Sequence, residues 1–157
     1  MENGDNLVKE TYAKMARLCS RSEQCSGDIR KKIVTAGVEE DGADEMIHTL
    51  KKENYLNDER YVNAYVADKF KFNRWGKIKI RHNLRMKGLP EAVILNALDE
   101  IDEEKYKVVL IKTMKEKAKS VKKKKTRFEK MGPIIRFAQT RGFEPELIHR
   151  YMNEVLD

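Results

Sequence analysis

Ile80-Arg81-His82-Asn83-Leu84-Arg85-Met86-Lys87-Gly88-Leu89 contains a phrase that the chain uses three times. Isoleucine stands eight residues before a glycine, an apolar residue four before it, and a hydrophobic residue directly after it. Upstream, the same columns hold Ile29, Ile33, Gly37 and Val38; downstream they hold Ile134, Ala138, Gly142 and Phe143. Beyond each glycine the columns continue without a gap as Ala43/Ile94/Ile148, Ile47/Leu98/Met152 and Leu50/Ile101/Val155. Self-similarity at a fixed long period marks tandem supersecondary units.

The glycine has a conformational role. The residue just past a helix C-cap commonly adopts a left-handed backbone that glycine tolerates best, and the next apolar residue folds back on the last turn. With Gly88 in that place, Leu89 meets Leu84; Gly37 pairs Val38 with Ile33, and Gly142 pairs Phe143 with Ala138. The glycines are helix stops and carry no chemistry.

Working outward, each unit reads as three helices. In the first, Leu7 to Leu18 is periodic, Ser26 can cap a helix ending at Ala36, and a third helix covers about 42–53. In the second, Asn57 or Asp58 caps a helix carrying Tyr61, Val62, Tyr65, Val66 and Phe70. The next helix starts near Trp75, and Pro90 sits in the first turn of the third, where a missing N–H is harmless. In the third unit, Asp102, Glu103 and Glu104 open a helix whose far end is lysine-rich, matching the helix dipole. Its buried stripe is Tyr106, Val109, Leu110, Thr113, Met114, Ala118 and Val121. Helices from about Phe128 to Arg141 and from about Pro145 complete the chain. No alternating β-branched run bounded by turn residues is present. The expected fold is all-α: three tandem three-helix repeats over residues 1–54, 55–101 and 102–157, forming an elongated, curved array.

Composition narrows the function. The net charge is +7, unevenly spread. Residues 1–54 hold 9 Lys/Arg against 11 Asp/Glu, residues 55–101 hold 9 against 6, and residues 102–157 hold 15 against 9. An acidic first unit and a basic remainder point to a polyanion facing the later units, or to a lysine-rich solubilising surface. Cys19 and Cys25 read as free thiols in a reducing compartment, and zinc would need four ligands. No apolar run reaches the roughly 18 residues of a membrane helix. A soluble, cytoplasmic protein is expected.

Catalytic signals are missing. His48, His82 and His149 share no metal-like spacing, and Gly76-Lys77 lacks the rest of a phosphate loop. There is no nucleophile elbow. No enzyme activity, cofactor or metal is expected.

The basic residues are more informative. Lys77, Arg81 and Arg85 stand at i, i+4 and i+8, on one face of the second unit's middle helix. Arg74, Lys79 and Lys87 widen the band. The equivalent positions are Ser26, Arg30 and Val34 in the first unit, and Met131, Ile135 and Gln139 in the third. The stripe thus belongs to one repeat and reads either as a site for phosphate or carboxylate or as a solvated face. Lys122, Lys123, Lys124 and Lys125, with Lys119 and Arg127, form a positive segment that is either a linker or a diffuse anion attractor. Trp75 is either a base-stacking ring or core. A helix-turn-helix reading places Glu39, Glu40, Asp41 and Asp44, then Glu91, then Glu144 and Glu146 against base edges. Carboxylates repel phosphate there, so sequence-specific readout is not expected.

These residues resemble a known signature. Tyr55-Leu56-Asn57-Asp58-Glu59-Arg60-Tyr61, followed by Trp75-Gly76-Lys77-Ile78-Lys79-Ile80-Arg81-His82-Asn83-Leu84-Arg85-Met86-Lys87-Gly88-Leu89, looks like that of the RecX regulatory proteins. The likeness extends back through Ser26-Gly27-Asp28-Ile29-Arg30-Lys31-Lys32-Ile33 and forward to Arg141-Gly142-Phe143, covering about residues 12–155. The chain departs from the pattern at Gln24-Cys25 and at Ala138, where a bulkier residue is common. The resemblance implies a non-enzymatic, cytoplasmic, monomeric modulator of the RecA recombinase. It would lie in the groove of the RecA–DNA filament and restrain ATP hydrolysis, strand exchange and growth. The expected contacts to RecA and to single- or double-stranded DNA are Arg30, Arg74, Lys77, Lys79, Arg81, Arg85, Lys87, Lys122–Lys125, Arg127 and Arg141. The alternatives are a non-specific DNA-binding protein with no obligatory recombinase partner, and a passive interaction scaffold.

Overall fold

The computed structural model of the chain describes residues 2–121, 123 and 126–156. Among them the secondary structure is entirely helical, in three tandem three-helix repeats. The first repeat holds α1 (Glu2–Arg21), α2 (Ser26–Thr35) and α3 (Glu40–Lys52). The second holds α4 (Asp58–Lys71), α5 (Lys77–Met86) and α6 (Glu91–Asp99). The third holds α7 (Glu103–Ser120), α8 (Arg127–Thr140) and α9 (Pro145–Val155).

The repeated columns are the core. Ile29, Ile80 and Ile134 are fully buried, as are Ile33, Leu84 and Ala138, and Val38, Leu89 and Phe143 are nearly so. Ala43, Ile94 and Ile148 are fully buried in the third helices. Gly37, Gly88 and Gly142 take φ values of 110°, 80° and 96°, in the region that favours glycine. At Gly37 the paired closing bonds are present: Gly37 N donates to Val34 O at 3.0 Å and Val38 N to Ile33 O at 3.4 Å. Gly142 N donates to Gln139 O at 2.9 Å and Phe143 N to Ala138 O at 3.1 Å.

Asn54 ends α3 in the same way, at φ 67°. Its amide donates to Lys51 O at 3.0 Å, and that of Tyr55 to Leu50 O at 2.9 Å. Asparagine tolerates the left-handed region because its short polar side chain bonds locally. Here its Oδ1 accepts from Arg60 Nη1 at 3.1 Å.

Three helix starts differ from expectation. Ser26 is the first residue of α2, and Cys25 stands at the N-cap in extended geometry. The capping acceptor comes from α4: the Asp58 carboxylate receives Ser26 N at 2.8 Å and Ser26 Oγ at 2.6 Å. Asn57 caps α4, its Oδ1 accepting Arg60 N at 3.0 Å. α5 begins at Lys77, not Trp75, because Arg74 is left-handed at φ 55° and Trp75 N turns back to Lys69 O at 3.1 Å. Pro90 is the N-cap of α6, one position earlier than expected, with extended geometry. Asp58→Ala is expected to lower stability by about 1–3 kcal/mol, since it strands a half-buried amide and a hydroxyl. Asp58→Asn keeps one acceptor and loses less. Urea denaturation of the full chain reads both, and equal midpoints for Asp58→Ala and the parent would refute this cap.

By compactness the chain divides into two units: Met1–Ala64 with Lys87–Leu89, and Tyr65–Met86 with Pro90–Asp157. The first unit packs Met15, Cys19, Ile29, Ile33, Val38, Ala43, Met46, Leu50 and Leu56 together. The second packs Tyr106, Leu110, Met114, Ile134, Ala138, Phe143, Ile148 and Met152, with Phe70, Val109, Ala118 and Val121 against them. Cys19 and Cys25 are free and buried, and burial pushes both thiols up. No described helix is long and apolar enough to cross a membrane.

Candidate functional site

The basic residues of the second unit gather around α5, and the packing of α5 explains how they are presented. Its first turn is tied to the third repeat through backbone. Gly76 N donates to Arg141 O at 2.7 Å, and Ile78 N to Gly142 O at 3.0 Å. Between them Lys77 N donates to Tyr106 Oη at 2.9 Å. Tyr106 in turn donates to the Glu144 carboxylate. Burial, then the neighbouring Glu144, holds the Tyr106 hydroxyl far above its ordinary range, so it stays a donor at any working pH. The amide of Gly76 and the first two amides of α5 are thus satisfied by protein oxygens. The N-terminus of α5 is therefore spent on folding, and any anion must be met by side chains.

The approach here is close. A Cβ on Gly76 would lie 2.3 Å from Gly142 C and O, and a Cβ on Gly142 would lie 2.3 Å from Lys79 Cβ. The bare backbone at both positions lets the start of α5 sit directly on the α8–α9 turn. The contact fixes the axis of α5, and with it the direction of the stripe.

The predicted site residues among those described each have a definite place. Arg81 and Arg85 are exposed and share one carboxylate: Arg81 Nε donates to Glu91 Oε1 at 2.5 Å, and Arg85 Nε lies 3.4 Å from Glu91 Oε2. Glu91 opens α6, so the turn through Gly88 brings it over the last turns of α5. Lys77 is half-buried, its Nζ 5.0 Å from the Tyr106 ring centroid. Lys79 Nζ stands 4.4 Å from the Trp75 centroid, and Lys69 Nζ 4.9 Å from it. Arg74 Nη1 pairs with Glu116 Oε1 of α7 at 2.6 Å.

Two of the expected residues belong to the first unit. Arg30 Nε pairs with Asp44 Oδ1 at 2.7 Å, and Lys87 Nζ with Asp28 Oδ2 at 2.8 Å. The hydrogen bond from Lys87 depresses the Asp28 carboxyl and raises the Lys87 ammonium. Two others serve the third repeat. Arg127 donates to the Leu156 carbonyl and, at 2.6 Å, to Asn153 Oδ1. The Arg141 guanidinium lies 4.8 Å from the Phe137 centroid. Lys123 is exposed. Lys122, Lys124 and Lys125 lie outside the described residues.

The structure therefore brings Lys77, Lys79, Arg81 and Arg85 together on one helix, with Arg74 on the preceding loop. Sequence reasoning missed Glu91, which neutralises half of the arginine pair, and Phe72, which is 71% exposed in that loop. No group of acidic residues, histidines and cysteines able to hold a metal occurs among the described residues.

Comparisons with known proteins point one way. The family profile described as "RecX, second three-helix domain" matches residues 57–98, from the start of α4 to the end of α6. The regulatory protein RecX of Clostridium perfringens (strain SM101 / Type A) is 30% identical over 128 residues, which are 81% of this chain and 59% of that protein. The chain thus spans under two thirds of that relative's length. The regulatory protein RecX of Clostridium botulinum (strain Eklund 17B / Type B) is 28% identical over 158 residues, covering 100% of this chain and 73% of the relative. The crystal structure of RecX from Lactobacillus salivarius has a TM-score of 0.85 at 20% identity, covering 96% of this chain and 97% of that one. At that identity the likeness shows the shared fold.

Proposed function

Because the chain belongs to the RecX family, we propose that it binds the filament formed by the RecA recombinase on DNA and modulates it, mostly by inhibition. The affected steps are ATP hydrolysis, strand exchange and filament extension, and the chain acts as a ligand of the filament groove. The observation that carries this reading is a gap in the acidic residues. Between Asp68 and Glu91 no carboxylate occurs, while Lys69, Lys71, Arg74, Lys77, Lys79, Arg81, Arg85 and Lys87 all do. A filament on DNA presents protein carboxylates and phosphates, which arginine forks and lysines can grip.

The Arg81–Glu91–Arg85 cluster is suited to exchange. Its side chains are well exposed, at 45%, 39% and 61% respectively. Exposed ion pairs contribute about 0.2–1 kcal/mol each, less than an arginine fork on phosphate. A partner phosphate or carboxylate therefore displaces Glu91, which acts as an internal competitor. Glu91→Gln is expected to tighten binding to a DNA oligonucleotide about two- to ten-fold at low salt. Fluorescence anisotropy measures this; an unchanged or weaker affinity would mean that Glu91 orients the arginines.

The deciding experiment is RecA-dependent ATP hydrolysis on single-stranded DNA, titrated with this protein. A saturable fall in rate is expected, and an unaltered rate at saturation overturns the proposal. The acid-free stretch also favours a second reading, non-specific binding to DNA without the recombinase. In that case binding to bare DNA accounts for the whole affinity. It then falls with a salt slope of roughly 0.7–0.9 per phosphate contact.

A further inference from the structure

We propose that the α4–α5 connection, residues 72–76, is a stacking platform for the bases of single-stranded nucleic acid, with Phe72 as the stacking ring. The inference rests on the reading above that this basic stretch meets DNA, and it names the form of strand and the side chain that meets the base.

Phe72 follows the last residue of α4 and leaves 71% of its surface in water. An aromatic ring this exposed loses the burial that usually holds one in place. The loop that carries it is nevertheless anchored at both ends. Phe72 N donates to Asp68 O at 2.8 Å, Trp75 N to Lys69 O at 3.1 Å, and Gly76 N to Arg141 O at 2.7 Å. Arg74 is fixed at φ 55° and bridged to Glu116. The ring is thus held out by ordered backbone.

Its surroundings select the partner. Lys71 Nζ lies 5.3 Å from the Phe72 centroid. Arg74, Lys77 and Lys79 follow in sequence, with no carboxylate before Glu91. A hydrophobic pocket on a protein would have to desolvate the Lys71 ammonium to receive the ring. A nucleotide instead places its base on the ring and its phosphate beside the ammonium. Alternation of aromatic faces and cations is the arrangement by which proteins hold single strands without reading sequence. In a duplex both faces of each base are covered by neighbours, so only unpaired bases offer a face.

Trp75 is the other aromatic here, but it is half-buried and two lysine ammonium groups already stand against its ring. Its place is to position Lys69 and Lys79. As the chain's one tryptophan, it reports on events three residues away.

The test compares the intact protein with Phe72→Ala and Phe72→Tyr, without recombinase and at one salt concentration, on an oligothymidine and on a duplex of equal length. Phe72→Ala is expected to weaken oligothymidine binding about five-fold or more while leaving duplex binding within about two-fold. Phe72→Tyr should retain the parent affinity, and Trp75 emission should change on adding oligothymidine to the parent. Because the ring is exposed, its removal leaves the core intact, and circular dichroism confirms folding. Parent-like oligothymidine binding by folded Phe72→Ala overturns the platform, as does an equal loss on both forms. Arg81→Glu/Arg85→Glu, run in parallel, should weaken both forms. If the parent binds neither form, the underlying polyanion reading falls, and the platform with it.

Discussion

Alanine at Gly142 is expected to destabilise the protein by about 2–5 kcal/mol, more than the same change at either Gly88 or Gly76. Three glycines separate two physical effects. Gly88 has a φ of 80° with open space where a Cβ would stand, so alanine there meets only the backbone penalty, about 1–2 kcal/mol. Gly76 shows no left-handed φ, but its Cβ would lie 2.3 Å from backbone atoms of Gly142, which cannot swing away. Overpacking of that kind costs about 1–3 kcal/mol. Gly142 meets both effects, with φ 96° and a Cβ 2.3 Å from Lys79 Cβ and 2.7 Å from Lys79 N. Urea midpoints of the three variants should fall in that order, with Gly142→Ala lowest. If Gly142→Ala and Gly88→Ala lose the same amount, the contact between α5 and the α8–α9 turn contributes nothing and the backbone bonds of Gly76 and Ile78 are incidental. If the expected order holds, those bonds set the orientation of α5.

The repeat was readable because each helix stop needs a residue with little steric cost at positive φ, and glycine at fixed offsets from apolar columns marks such a stop. The same geometry at Asn54 and Arg74 was not readable. Asparagine is common in many roles, and Arg74 is left-handed only because tertiary contacts hold it: its guanidinium on Glu116, and the next amide on Lys69 O. Gly76 reads in the sequence as a fragment of a phosphate loop, yet it is a packing residue whose partner stands in another repeat. The site divides along the same line. The stripe Lys77, Arg81, Arg85 follows from helical spacing alone, a local property. Its counter-ion does not, because Glu91 reaches both arginines only through the turn at Gly88. Ser26 looks like a cap because serine usually is one; the acceptor is Asp58, and only the fold of the first unit brings it there. Non-local pairing hides partners in each case, while periodicity exposes faces.

Reversing both arginines, Arg81→Glu/Arg85→Glu, is expected to lower affinity for DNA at least about hundred-fold at low salt, because two charge-assisted contacts contribute about 1.5–3 kcal/mol each. The salt slope should become shallower by roughly 1.5, two contacts at about 0.7–0.9 each. Stability should move much less. Arg81 and Arg85 are exposed, Ile80 and Leu84 keep the buried face of α5, and the lost pairs with Glu91 are worth about 0.2–1 kcal/mol each. Added repulsion from Glu91 is of similar size. Large loss of binding with nearly unchanged denaturation is thus the signature of a surface that meets a polyanion. The lysine pair, Arg81→Lys/Arg85→Lys, keeps the charge and removes the fork, so its affinity should lie between the parent and the reversal. Inhibition of RecA-dependent ATP hydrolysis should follow the same ranking if filament and DNA are met through one face. A folded double reversal that binds DNA and restrains the recombinase like the parent would reduce the stripe to a solvated helix face. The polyanion would then have to be met elsewhere, beginning with the lysine-rich segment after α7.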